Sequence, residues 1–126
     1  MHWKRFAILS AVMLLAMAAF AQNSFAGRWS QEGANSSLLI TTVSGDYLAV
    51  YQGHRMSEIS VSGTHIKASG SWVNEYGIAT DLVLELTISD DGGVLTGTKT
   101  ETIRWSDKHG RPLHHGPETE AILFTR

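Results

Sequence analysis

Three histidines lie close together near the C-terminus, at positions 109, 114 and 115, and Glu118 and Glu120 follow them. Imidazole nitrogens and carboxylates are ligands that suit zinc, copper or nickel. Adjacent histidines on a flexible loop do not readily present both rings to one ion, however, and the chain contains neither an H-x-x-x-H nor an H-E-x-x-H motif. The favoured interpretation is a solvated loop; if a metal binds, the candidate ligands are His109, His114 and His115.

Other residue types that perform catalysis show no recognisable arrangement. The chain contains no cysteine, and no Gly-x-Ser-x-Gly motif presents a serine nucleophile. Glu85 and Glu101 fall on expected strands, where ordinary surface charges account for them. The sequence therefore favours a protein that is not an enzyme and that needs no cofactor.

Four aromatic residues are stronger candidates for ligand binding, namely Tyr47, Tyr51, Trp72 and Trp105. Tyr47 and Tyr51 flank Ala49 on one face of an expected strand. Each of these rings combines an apolar body with a polar group, which suits a small, partly apolar ligand. The alternative is that the rings fill a solid interior, and the sequence leaves both interpretations open.

The chain beyond residue 22 has the pattern of short strands separated by turns. Runs rich in Val, Ile, Thr and aromatic residues alternate with Gly, Asn, Asp and Ser, and no sustained 3.6-residue period is present. In the run 65–73, Ile66, Ala68 and Trp72 share one face, as expected for a strand with one buried side. We expect eight strands, near residues 25–31, 37–43, 47–53, 57–62, 65–73, 81–89, 94–105 and 121–126.

These strands and their short connections predict an all-β fold. We expect a single antiparallel up-and-down barrel of eight strands, whose interior holds side chains or one small ligand. The segment 106–120 is expected to be a long loop. In strand 94–105 the sequence favours solvent exposure of Lys99 and Glu101, and it leaves open which face of that strand points inward.

The first 21 residues have the three-part pattern of a secretory signal peptide. Lys4 and Arg5 precede an apolar run over 6–20, and Ala19-Phe20-Ala21 supplies the small residues of a cleavage site. The run has about 15 residues, short of the roughly 20 that span a bilayer as a helix. We expect a signal-peptide helix over 1–21, cleavage after Ala21, one domain over 22–126 and a secreted or periplasmic location. An uncleaved membrane anchor is the alternative.

The charge balance of the mature chain limits its partners. Without Lys4 and Arg5, 8 of the 10 basic residues remain against 12 acidic ones, a formal charge of −4. Because no basic stripe is present, nucleic acid is not an expected partner. No stable membrane insertion is expected after signal cleavage. The absence of cysteine favours a bacterial periplasm over a disulfide-stabilised extracellular module.

The two ends of the expected domain carry a family resemblance. The segment Phe25-Ala26-Gly27-Arg28-Trp29 begins the domain, and Ile122-Leu123-Phe124-Thr125-Arg126 ends it. This Gly-x-Trp on a first strand, with an arginine after the last, resembles the calycin superfamily of lipocalins and avidin-like proteins. The resemblance implies that Trp29 plugs one end of a barrel, that Arg126 lies across its ring, and that Gly27 allows close backbone approach.

Three functional hypotheses follow. The leading one is an exported barrel that binds a small, partly apolar ligand in its interior without catalysis. The second is a solid-core periplasmic protein-interaction or inhibitor module that uses the segment 106–120. The third is metal capture through the histidine-rich segment. The expected partner is therefore a small molecule or another protein.

Overall fold

The computed structural model describes residues 25–126. The predicted signal peptide and the predicted mature N-terminus at Gln22 lie outside the described residues. Within 25–126 the chain forms strands and turns only. The strands are β1 (Gly27–Gln31), β2 (Ser37–Val43), β3 (Asp46–Tyr51), β4 (His54–Arg55), β5 (Glu58–Ser62), β6 (His65–Val73), β7 (Ala79–Ile88), β8 (Val94–Ser106) and β9 (Pro112–Thr125).

All nine strands belong to one antiparallel sheet, in the order β4-β3-β2-β1-β9-β8-β7-β6-β5. Neighbours in the sheet are consecutive in the chain except at the β1–β9 pair, where Ser30 lies opposite Thr125 and Gln31 opposite Phe124. The predicted all-β class and antiparallel meander are thus confirmed. The sheet itself is not closed, because β4 and β5 are its two edges and do not pair with each other.

The ninth strand is the two-residue β4, which pairs with the end of β3. A short link joins β4 to β5. There the Met56 amide donates to the Ala49 carbonyl on β3 (2.9 Å), and the Ser57 amide donates to the Ser69 carbonyl on β6 (2.8 Å). The chain therefore leaves one edge of the sheet and joins the other within two residues. Gly70 makes room for this crossing, since a Cβ there would lie 3.3 Å from the Met56 Cα.

The core is a filled layer of side chains from the inward faces of the strands. Residues from β2 and β3 meet residues from β6 and β7 around a residual void of only about 10 Å³. This void is lined by Leu38, Ile40, Ala49, Ile66, Ala68, Leu84 and Leu86. Full burial of a leucine or isoleucine contributes about 1.5–3 kcal/mol, so this layer is the main source of stability.

The expected loop over 106–120 is wrong, because most of that segment is strand. β9 begins at Pro112, and only the turn 107–111 separates it from β8. The Asp107 amide closes this turn by donating to the Arg111 carbonyl (2.9 Å). Residues 112–120 are almost all exposed, so they show no apolar alternation that would reveal a strand. Pairing with β8 holds this segment in place, and Pro117 lies where the β8–β9 register shifts, between Glu101 and Ile103.

The register between β7 and β8 shows which face of β8 points inward. Leu84 lies directly opposite Lys99, and Leu82 lies opposite Glu101, in a β7–β8 register without shifts. Residues directly opposite each other share a face of the sheet, and both leucines are buried. Only 17% of the Lys99 side chain is exposed. The expected solvent exposure of Lys99 is therefore wrong, because no bulge in β8 exchanges its two faces.

Candidate functional site

The end of the sheet where β1 begins is held by Arg126. Its guanidinium carbon lies 4.1 Å from the centroid of the Trp29 ring. Nη1 donates to the Ala26 carbonyl (2.9 Å), and Nε donates to the Gly92 carbonyl (2.8 Å). The Trp29 ring is fully buried, and its Nε1 donates to the Phe25 carbonyl (2.9 Å). Arg126 therefore links the backbone just before β1 and the β7–β8 turn to the Trp29 ring.

Gly27 completes this contact. Its φ of 141° is one that residues with a side chain rarely adopt, and a Cβ at this position would lie 2.6 Å from Arg126 Nη1. The structure thus brings together all three residues that the family resemblance singled out, Gly27, Trp29 and Arg126. Their role here is to fasten one end of the sheet.

The four aromatic residues expected to line a ligand cavity lie in separate surroundings. Tyr47 packs edge-to-face against Phe25, with ring centroids 6.4 Å apart. Tyr51 packs edge-to-face against Phe124 at 6.0 Å.

The two tryptophans of that set are further out. Trp72 stacks on His54, with ring centroids 4.1 Å apart and ring planes 3° from parallel. Trp105 lies near the exposed end of β8 and is 37% exposed. No pocket described within residues 25–126 is lined by two of the four rings.

A polar cluster lies where β1 and β3 end. The Tyr51 hydroxyl donates to Gln31 Oε1 (2.7 Å), and Lys99 Nζ lies 2.7 Å from Glu120 Oε1. Burial raises the pKa of Tyr51, and the nearby Lys99 ammonium partly opposes that rise. Burial alone would lower the pKa of Lys99, but the hydrogen bond to Glu120 and the surrounding negative groups outweigh it, so the pKa is raised. Lys99 therefore stays charged and is held by the exposed Glu120 carboxylate.

The three candidate metal ligands lie along the β8–β9 hairpin. His109 is in the turn, where its backbone amide donates to Asp107 Oδ1 (2.8 Å). His114 and His115 are consecutive on β9, so their rings point to opposite faces. The His115 Nε2 lies 2.9 Å from Glu118 Oε1. Within residues 25–126, no group of three or more His, Cys, Asp or Glu side chains is arranged to hold a metal ion.

The largest exposed apolar side chains concentrate at one end of the molecule. β7, β8 and β9 extend past the core there, and we call residues 73–79 together with 103–115 the distal end. Six large apolar residues of the described chain are well exposed, and all except Val43 belong to this end. The five are Val73, Tyr76, Ile78, Trp105 and Leu113.

The register places part of this set in one row. Trp105 on β8 lies opposite Leu113 on β9. On the other side of β8, Ala79 at the start of β7 lies opposite Arg104, and Ile78 precedes it in the β6–β7 link. A groove of about 510 Å³ runs along the same end, and its lining includes Gly77, Trp105 and Leu113. Two paired strands thus present the exposed apolar pair Trp105 and Leu113, at the same end of the molecule as the exposed Ile78.

Ionic contacts stiffen this projecting end. Asp81 receives hydrogen bonds from Arg104 through Nε (2.6 Å) and Nη2 (3.0 Å), and one from the Ser71 hydroxyl (2.7 Å). These bonds, above all those from Arg104, lower the pKa of Asp81. In the turn, Arg111 Nε donates to Asp107 Oδ2 (3.2 Å). The Asp81–Arg104 pair therefore links β7 to β8, and the Asp107–Arg111 pair lies within the β8–β9 turn.

Sequence reasoning missed Tyr76, Ile78 and Leu113 as surface residues. The signal available was Tyr76 and Ile78 within an otherwise polar link, together with Leu113 between a proline and a histidine pair.

Comparison with known proteins identifies no relatives. No protein-family model, no curated protein and no solved structure matches this chain.

Within residues 25–126 no helix has the length and apolar character to cross a bilayer.

Proposed function

We propose that this chain is a non-catalytic binding module that contacts another macromolecule through its distal end. The observation that carries the proposal is the contrast between the two parts of the molecule. The void at the centre of the core measures only about 10 Å³, whereas the distal end presents five large apolar side chains to solvent. Large apolar side chains that are exposed together at one end of a domain are typical of interaction sites.

The small volume of the central void favours this function over the binding of a small ligand inside the sheet. Pockets for small molecules usually measure about 300–1,000 Å³. The void between Leu38, Ala49 and Leu84 measures about 10 Å³, less than one methyl group requires. A ligand at this void would have to displace core side chains. A separate pocket of about 280 Å³, lined in part by Tyr47, Met56 and Ile59, falls just below the usual size of small-molecule sites.

We also propose that the fold is a calycin-like barrel and that the protein is exported, with a mature chain starting at Gln22. Support for the first comes from the β1–β9 pair, from the Met56–Ser57 link between the two sheet edges and from Arg126 over Trp29. Support for the second is the sequence pattern of residues 1–21.

Site-specific photo-cross-linking in the native cell tests the distal-end contact. A photoreactive phenylalanine analogue would replace Leu113, which is 42% exposed in the distal end. The matched control is the same analogue at Val43, which is 58% exposed at the β2–β3 turn. We expect a cross-linked product from position 113 and none from position 43. Equal products from both positions, or none from 113, would refute the proposal.

A further inference from the structure

One edge of β9 has no partner strand over most of its length. β1 pairs with β9 only near the C-terminus of the chain. The last hydrogen bond between these segments runs from the Glu32 amide to the Leu123 carbonyl (3.0 Å). Within residues 25–126, the part of β9 from 112 to 121 pairs with no strand except β8. This open side of residues 112–121, here called the β9 edge, begins where β1 ends and continues to the distal end.

The backbone of the β9 edge has hydrogen-bonding groups that point away from the sheet. The Leu123 carbonyl points away from β8, because it accepts the Glu32 amide. Backbone groups repeat their direction at every second residue of a strand, and the β8–β9 register runs without a shift from Thr119 to Thr125. The N–H and C=O groups of Thr119 and Ala121 therefore also point away from β8. A strand added at this edge would bind all four groups.

The side chains along this part of the edge are acidic. Glu118 lies opposite Glu101 on β8, so the two carboxylates share one face of the sheet. Glu120 lies opposite Lys99 on the same face and binds its ammonium group (2.7 Å). With Glu32 where β1 ends, four acidic residues and one basic residue give a formal charge of −3, with histidine counted as neutral. The edge therefore attracts a cationic partner.

The basic residues of the distal end do not cancel this charge. Arg104 and Arg111 each form an ion pair with an aspartate, so neither adds net charge. Lys108 lies in the β8–β9 turn, and the strand from 112 to 118 separates it from Glu118 by about 20 Å. Exposed charges are largely screened beyond about 8 Å at physiological ionic strength. The acidic part of the edge therefore acts on its surroundings independently of the turn.

We propose that the partner of the distal end is a protein with an extended basic segment, which adds an antiparallel strand to the β9 edge. This inference rests on the proposed function and specifies the partner. Backbone hydrogen bonds provide the affinity of such strand addition, and the opposite side chains provide its specificity. Because Thr119 and Ala121 make the hydrogen bonds, Glu118 and Glu120 occupy the intervening pairs, where opposite side chains lie closest. Lysine or arginine at two alternating positions of the segment therefore meets the two carboxylates.

A second copy of this chain fits the edge less well than a basic segment does. If two copies pair antiparallel through Thr119 and Ala121, the two Glu120 carboxylates lie directly opposite each other. Like charges in that position destabilise a strand pair. The carboxylates that attract a basic segment thus also keep the edge from pairing with itself.

The β9 edge and the distal end form one continuous surface. Trp105 is on the same face of β8 as Glu101, because strand residues alternate between faces, and Leu113 lies opposite Trp105. Leu113 therefore continues the face of Glu118 and Glu120 beyond the register shift. A segment that lies along β9 meets the two glutamates and then the apolar pair. We expect two alternating basic residues followed by an apolar residue in the partner.

NMR titration of the isotope-labelled protein with synthetic peptides tests this inference on the form that its source produces. The first probe is a peptide of about eight residues in which lysine alternates with valine. The matched probes carry glutamate in place of lysine, or N-methyl groups on the amides of the pairing side. We expect the lysine peptide to shift the amide signals of Thr119 and Ala121. Neither matched probe should shift them, because one is repelled and the other cannot donate backbone hydrogen bonds.

Variants of the chain separate the β9 edge from other surfaces. Ala121→Pro removes an N–H that points away from β8, so the β8–β9 ladder is kept while the added strand loses a donor. Glu118→Gln combined with Glu120→Gln removes both charge pairs with the segment. Each change should weaken binding of the lysine peptide about tenfold. Glu58→Gln removes an exposed carboxylate from β5, the edge strand at one end of the sheet, and should leave binding unchanged.

Equal binding of the lysine and glutamate peptides would overturn the inference, and so would binding that Ala121→Pro leaves intact. Cross-linking from position 113 in the native cell tests the proposed function separately. If that cross-link forms equally well with and without Ala121→Pro, strand addition is wrong and the proposed function stands. If position 113 gives no product, the distal-end contact is wrong, and the peptide titration alone decides whether the β9 edge binds a basic segment.

Discussion

Replacing Arg126 by alanine should destabilise the whole domain, although the residue is exposed and lies at the end of the chain. The guanidinium lies 4.1 Å from the Trp29 ring centroid, and a cation over a buried tryptophan contributes about 0.5–2 kcal/mol. Its hydrogen bonds to the Ala26 and Gly92 carbonyls each contribute roughly 0.5 kcal/mol at an exposed site. We expect a total loss of about 2 kcal/mol.

The assay is urea unfolding followed by tryptophan fluorescence, which reports on the buried Trp29 together with the other tryptophans, Trp72 and Trp105 among them. A loss of about 2 kcal/mol corresponds to a fall in Tm of roughly 10 °C for a domain of this size. The m-value should stay the same, since the exposed surface of the unfolded chain hardly changes. Arg126→Lys should lose an intermediate amount, because a lysine keeps the charge over the ring but has a single donor group for two carbonyls.

A double-mutant cycle that combines Gly27→Ala with Arg126→Ala tests whether the two residues are in direct contact. Gly27→Ala alone should be strongly destabilising, because its Cβ would lie 2.6 Å from Arg126 Nη1 and its φ is positive. In the Arg126→Ala background only the backbone cost, about 1–3 kcal/mol, should persist. Additive losses would contradict the close approach of Gly27 and Arg126. An Arg126→Ala variant as stable as the parent would show that the Trp29 contact does not hold the fold together.

Three further substitutions test other parts of the account. Ala68→Leu should cost about 1–3 kcal/mol in urea unfolding, because the void beside it is too small for the added carbons; a neutral result would mean that the interior has room for a guest. Gly97→Ala should lower the urea midpoint by a similar free energy, since its Cβ would overlap the Glu85 carbonyl; an unchanged midpoint would contradict the close approach of β7 and β8. The folded-state pKa of Asp81 is lowered by its bonds from Arg104, so this group's stabilisation is present above the ordinary aspartate pKa of 3.8 and is lost as the pH falls through the folded value. Asp81→Asn should therefore flatten the acid limb of the profile of stability against pH, and an unchanged limb would show that the ion pair contributes nothing.

The sequence predicted well those parts of the fold that depend on alternation over a buried face. β2 and β6 were predicted with their observed bounds, because Leu38, Ile40, Ile66 and Ala68 repeat with period two over the core. The contact between Trp29 and Arg126 was implied by the resemblance at the two ends of the chain. These features arise from local pattern and from short motifs, which a single sequence displays.

Other features depend on partners that the sequence does not display. The first half of β9 is exposed on both faces, and only its pairing with β8 makes it a strand. The inward position of Lys99 follows from the β7–β8 register, which alternating threonines leave undetermined. β4 has two residues and exists because His54 and Arg55 pair with the end of β3. The exposed apolar pair of the distal end likewise becomes visible only when the β8–β9 register places Trp105 opposite Leu113.

Native mass spectrometry of the protein purified from its own source tests the central claim most directly. A filled interior and an interacting distal end predict a chain without a bound small molecule, and any lipid or protein adduct should disappear when Trp105 and Leu113 are replaced by serine. A reproducible small-molecule mass that is released only on denaturation, and that the serine variant retains, would contradict the claim and place the ligand inside the sheet.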